Sequence, residues 1–203
     1  MGRKSIIVND RARRMLAQEA ARIIVEQGIQ DFRVAKHKAA ERLGLKDRGS
    51  LPGNSEIERA VGEHLKLFGR ESHVSFIRAL RGIALSAMEI LSPFSPRLVG
   101  PVLHGTAAAN SAINLHVFCD TPELIALRLD ANHLSYRTYE RRLKSRRDRA
   151  VTYAGYRFVH DDAAVEATVF PVDGVRQAPI SPVDGRPMQR ADHLAVRRLL
   201  GDD

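Results

Sequence analysis

The sequence predicts an α+β protein: a helical N-terminal unit over residues 1–92, then a mixed β-sheet with flanking helices over residues 93–203. Three observations carry this expectation. Apolar residues recur at three- and four-residue spacing as far as Leu91, the pattern of helices that each bury one face. Past Pro96 the chain turns to short apolar runs bounded by Gly, Pro and Asp. Among these, Ile113 to Phe118 alternates strictly, so Ile113, Leu115 and Val117 share one face of a strand while Asn114 and His116 share the other.

Taken in order, residues 10–28 read as a first helix with Leu16, Ala20 and Ile23 or Ile24 inward, Asn9 or Asp10 at its start and Gly28 just past its end. Phe32 to Leu43 reads as a second, with Asp31 as N-cap, Gly44 as terminator, and Arg33, Lys36, His37, Lys38 and Arg42 on its outer side. Ser55 followed by Glu58 has the form of a capping box opening a third helix that buries Ile57, Val61, Leu65 and Phe68. A fourth runs from Ser72 to Leu91, with Val74, Ile77, Leu80, Ala84, Leu85, Met88 and Leu91 inward, and ends at Ser92-Pro93.

In the second half, strands are expected at Leu98 to His104, Ile113 to Cys119, Val151 to His160 and Ala164 to Phe170. Pro101 is awkward in the first, since it has no N–H to donate to a ladder, and implies an edge or a bulge. Thr121-Pro122-Glu123 opens a helix between the second and third strands, with Leu124, Ile125, Leu127 and Leu129 as apolar surface. The last two strands form a hairpin turning at Asp161-Asp162. A closing helix, Asp192 to Leu200, packs by Leu194, Val196 and Leu199 or Leu200.

Composition narrows the function. The chain has 203 residues, 44% hydrophobic and 28% charged, which is ordinary for a globular protein. The formal net charge of +8 points to an anionic partner. The single cysteine, Cys119, permits no internal disulfide and shares the core parity of Leu115 and Val117. No apolar run is long enough to span a membrane, and the N-terminus lacks an export-type apolar region, so a cytoplasmic location without a membrane partner is expected. The phosphate loop of P-loop ATPases, the dinucleotide fingerprint, the serine-hydrolase elbow and the zinc-protease helix motif are all missing.

The segment Gly105-Thr106-Ala107-Ala108-Ala109-Asn110-Ser111-Ala112-Ile113-Asn114-Leu115-His116-Val117-Phe118 resembles the signature of the nucleotidyltransferase superfamily, the DNA polymerase β-like fold. In that family a glycine-hydroxyl turn is followed by a strand bearing two acids, and a third acid comes from a later strand. The resemblance implies a nucleotidyltransferase-like sheet in which Gly105, Thr106 and Ser111 hold a nucleotide. Asn114 and His116 stand at the two acid positions, and Val165-Glu166-Ala167 supplies the third. Magnesium prefers charged oxygen ligands, so exchanging two carboxylates for an amide and an imidazole implies degraded two-metal catalysis. No cofactor is implied, with magnesium entering only if residual catalysis exists. The segment Ala20 to Gly44 also resembles one that a group of proteobacterial proteins pairs with such a domain.

Two further stretches supply cations. Tyr136 to Arg149 interleaves tyrosines with Arg137, Arg141, Arg142, Lys144, Arg146 and Arg147, a composition suited either to nucleic acid or to an exposed hairpin or loop. PVDGVRQAP and PVDGRPMQR form a near-repeat whose Asp-Gly turns present Arg176 and Arg186, which could clamp a phosphate. The expected function is therefore binding of a nucleotide or RNA, RNA rather than DNA, in a basic cleft. Two alternatives stand beside it: an active nucleotidyltransferase with relocated acids such as Asp120, and a nucleic-acid-binding protein acting through its basic helices. The sequence does not specify an oligomeric state.

Overall fold

The computed structural model describes residues 2–29, 31–45, 51–68, 70–145 and 149–201. The protein is α+β. In chain order it runs α1 (Gly2–Gln27), α2 (Phe32–Arg42), α3 (Asn54–Phe68), α4 (Arg70–Ile90), β1 (Arg97–Val99), α5 (Gly100–His104), β2 (Ile113–Phe118), α6 (Glu123–Ala131), β3 (Tyr136–Lys144), β4 (Ala150–His160), β5 (Ala163–Phe170) and α7 (His193–Leu200). No helix among the described residues is long and apolar enough to cross a membrane.

The chain forms two compact units. The first holds the chain as far as His73 with two short pieces, Ala108–Asn110 and Pro182–Asp184; the second holds the remainder. In the first, α1 packs through Leu16, Ala17, Ala20, Ala21 and Ile23 against Ala35 and Ala39 of α2 and Ile57 and Val61 of α3. Small side chains on both sides bring α1 and α2 close. Asp31 caps α2 as expected, accepting from the N–H groups of Arg33 at 2.7 Å and Val34 at 3.3 Å. The start of α3 differs from expectation: it begins at Asn54, and Glu56 is the carboxylate that reaches back, to the N–H of Gly53 at 2.7 Å, while pairing with Arg13.

The fourth helix does not belong with the first three. Ile77, Leu80, Ala84, Ala87, Met88 and Leu91 share a core with Leu98, Ile113, Leu115, Val117, Val165, Ala167 and Val169, so the division falls between His73 and Val74 rather than at residue 92. A helix needs the same apolar stripe to pack on helices or on a sheet, and periodicity cannot tell the two apart. Val74, expected inward, is 67% exposed.

The sheet order is β1-β2-β5-β4-β3, with β2 and β5 parallel and the other pairs antiparallel. Between β1 and β5 in the sheet, β2 has all six of its residues buried. The first predicted strand is much shorter than expected: after Val99 the chain turns into α5, and Pro101 sits at the start of that helix, where its missing N–H breaks no bond. Within the basic block, Tyr136–Lys144 is an edge strand paired antiparallel with β4, the hairpin of the two alternatives. The β4–β5 hairpin turns as predicted, with both Asp161 (φ 45°) and Asp162 (φ 62°) left-handed, as a type I′ turn requires.

Other expectations shift in detail. On α6, Ile125 and Leu129 are buried while Leu124 and Leu127 face outward. Asp192 caps α7, of whose expected packing residues only Val196 is fully buried. Cys119 is half-buried against the core, its thiol donating to the Thr121 carbonyl. The near-repeat does not make matched turns: the first copy is a 3₁₀ turn over Val172–Arg176, and the second turns through Gly185 at φ 70°.

Candidate anion-binding face of the sheet

Residues opposite one another across a ladder project from the same face, so the register reads out rows of side chains. One row on the face away from the core runs Arg137, Arg157, Glu166, Asn114 and Val99; the next runs Tyr139, Gly155, Thr168, His116 and Arg97. Beyond them lie Arg141 opposite Tyr153, and Phe118 opposite Phe170.

Arg141 organises the first row. Its guanidinium passes 5.4 Å from the Tyr139 ring centroid and donates from Nη1 to Asn114 Oδ1 at 3.1 Å and from Nη2 to Glu166 Oε2 at 2.5 Å. Arg157 Nη1 lies 3.6 Å from the other oxygen of Glu166. Asn114 donates from Nδ2 to the Ala112 carbonyl, which leaves its oxygen aimed at Arg141. Gly100 lies against this amide: a Cβ there would meet Asn114 Nδ2 at 3.4 Å, an ordinary contact, so it is the left-handed backbone at φ 73° that favours glycine.

His116 is held differently. It is 1% exposed, and its Nδ1 accepts from Arg190 Nε at 3.0 Å, which assigns the ring proton to Nε2. Burial, then the nearby charges of Arg190 and Arg141, keep its pKa well below the usual 6.5, so the ring is neutral. Arg190 also donates to the carbonyls of Gly174 at 2.8 Å and Val175 at 3.3 Å, and its guanidinium lies about 5 Å from the rings of both Phe118 and Phe170. Burial lowers its pKa to about 10, which still leaves it charged at neutral pH.

The structure thus brings Asn114 and Glu166 together and places His116 on the same face, but joined to a different arginine. It moves the glycine turn. Gly100 faces Asn114, whereas Gly105 ends α5 beside Arg81 of α4, whose Nη2 donates to the Leu103 carbonyl at 2.9 Å. Thr106 continues that helix end, its N–H bonded to the Pro101 carbonyl, and Ser111 is half-buried ahead of β2. Arg176 and Arg186 are exposed on unlike turns, and Arg142 and Lys144 are exposed on β3, Arg142 on the opposite face from Arg141. Arg146 and Arg147 lie outside the described residues. Asp120 does not reach toward the row: its carboxylate accepts the Val172 N–H at 3.0 Å.

Magnesium does not fit this arrangement. The two oxygen donors that share a row, Asn114 Oδ1 and Glu166 Oε2, both point at one guanidinium, which can coordinate nothing. Among the described residues no group of three or more His, Cys, Asp and Glu side chains is placed to hold a metal ion. Sequence reasoning missed Gly100, Arg97, Arg157, Thr168 and Arg190. Arg97, Arg157 and Thr168 follow from parity once Asn114 and Glu166 are paired; Gly100, in α5, and Arg190 lie outside the strands and carry no periodic signal. Comparison with known proteins returns no matching family model, curated relative or solved structure, so the superfamily resemblance rests on the quoted residues alone.

Proposed function

We propose that the polar face of the sheet binds a nucleotide or RNA without a metal ion, the Arg141 guanidinium standing where a nucleotidyltransferase would hold its cation. One observation carries this: Arg141 bridges Asn114 and Glu166, two of the positions where the family resemblance expects acids. A planar guanidinium is suited to phosphate oxygens and stacks on aromatic rings. Arg97, Arg157 and Arg190 on the same face add positive charge, and Tyr153 adds a ring, backed by the buried Phe170 at 4.3 Å. Two-metal transfer chemistry finds no support, because Glu166 is occupied by arginines and Asp120 by the backbone.

Calorimetric titration of the full chain with each of the four nucleoside triphosphates and with a short single-stranded RNA, in chelator and in magnesium, tests the proposal. Binding in chelator is expected. A folded protein that takes up none of these ligands in either buffer contradicts it.

A second reading has its own observation. Arg33, Lys36, His37 and Lys38 line an open groove with Leu45 and Leu51 in the first unit, and burial lowers the Lys36 pKa. A groove of this sign suits a nucleic-acid backbone. Substituting Arg33, Lys36 and Lys38 by Gln in the full chain separates the two: RNA binding that disappears with them belongs to the helices and not to the sheet.

A further inference from the structure

The outermost positions of the first row hold two arginines. Arg137 on the edge strand and Arg157 on β4 are direct cross-strand partners, both exposed, on the face that carries Arg141, Asn114 and Glu166. Side chains so paired have Cβ atoms about 4.5–5.5 Å apart, and like charges placed this way destabilise the ladder. Arg157 is partly compensated by Glu166 at 3.6 Å on its other side. Among the described residues Arg137 has no such neighbour: its partners in the register are Arg157 and, beyond it, the same Glu166 already shared by Arg157 and Arg141.

A like-charged pair at facing positions is relieved by an anion that both can grip, and two guanidinium forks are matched by the paired oxygens of one phosphodiester. We infer that Arg137 and Arg157 form the seat for a backbone phosphate of single-stranded nucleic acid, the adjoining nucleotide of which lies at the Arg141 cluster. The inference rests on the proposed function and narrows it: the ligand is an oligomer reaching past one nucleotide to the sheet edge, not a mononucleotide. A single strand fits because its backbone is free to follow a sheet while its bases stack on side-chain rings such as Tyr153.

The test compares wild type with R137Q, using a fluorescein-labelled oligouridylate octamer read by anisotropy and UTP as competitor. Arg137 is chosen because its removal leaves the Arg157–Glu166 contact in place. R137Q is expected to bind the octamer about tenfold more weakly at low salt, with the slope of log affinity against log salt shallower by about 0.7, the loss of one single-strand phosphate contact. Its UTP affinity stays within about twofold of wild type, since UTP has no phosphodiester to a neighbouring nucleotide and its triphosphate is held at the Arg141 cluster. Its melting temperature is no lower than that of wild type, because a repulsion has been removed. Unchanged octamer binding, a parallel loss of UTP binding or a lowered melting temperature each overturns the inference while leaving the proposed function standing. Wild type that binds neither probe overturns both.

Discussion

The hydroxyl end of the Tyr139 ring occupies the space that a side chain at Gly155 would need: a Cβ there would lie 2.3 Å from Tyr139 Cζ. The same ring is anchored through its hydroxyl to Thr168 Oγ1 at 2.8 Å and is the surface over which Arg141 passes to reach Asn114 and Glu166. An absent side chain on β4 thus sets the position of a guanidinium that begins on β3.

G155A must therefore push the ring away, break its bond to Thr168 and move Arg141. A core overpacked by one methyl in a constrained place loses about 1–3 kcal/mol. Chemical denaturation at neutral pH should show a loss in this range, with nucleotide affinity falling alongside it. A stable variant with unchanged affinity would show that the ring does not support Arg141.

Glu166 competes with any bound phosphate for Arg141 and Arg157. In E166Q the charge is gone while the shape is kept. The Arg141–Glu166 pair is partly solvated, with side chains 31% and 14% exposed, so its worth is at the modest level of about 1 kcal/mol. Releasing it should tighten nucleotide binding by about fivefold. Weaker binding in E166Q would mean that the carboxylate touches the ligand and does not stand in for it.

His116 gives the fold a predictable acid sensitivity. Its pKa in the folded protein lies well below the ordinary 6.5 that it regains on unfolding, because of burial first and then of Arg190 and Arg141. Below pH 6.5 the unfolded chain therefore binds a proton that the folded chain refuses. Stability falls as the pH drops through this range, with a slope of up to about 1.4 kcal/mol per pH unit, and is flat with respect to this group above it. Urea denaturation from pH 7.5 to about 5 should show the slope, and H116N, which removes the titrating ring, should lack that component. Equal slopes in the two proteins would rule out a buried neutral His116.

Much of this was legible in the residues. The Asp31 cap, the Asp161-Asp162 turn and the shared parity of Asn114 and His116 follow from local chemistry, and the structure shows each. The allegiance of α4 was not legible, because Ile77, Leu80, Ala84 and Met88 would suit a helical partner as well as they suit β2 and β5. Nor was the break after Val99: Leu98 to Leu103 holds no polar side chain, and only Gly100 and Pro101, which favour a turn into a helix, argue against a strand. The role of Arg190 depends on a long-range approach to His116 across 74 positions of sequence, which no local pattern encodes.

The central claim is that a guanidinium does the work of a metal ion. Its most direct test is the dissociation constant for UTP measured in chelator and in magnesium, on wild type and R141Q. Wild type should bind equally well in both buffers, and R141Q should bind weakly in both. Binding by wild type that requires magnesium, or binding by R141Q as tight as that of wild type in chelator, would contradict it.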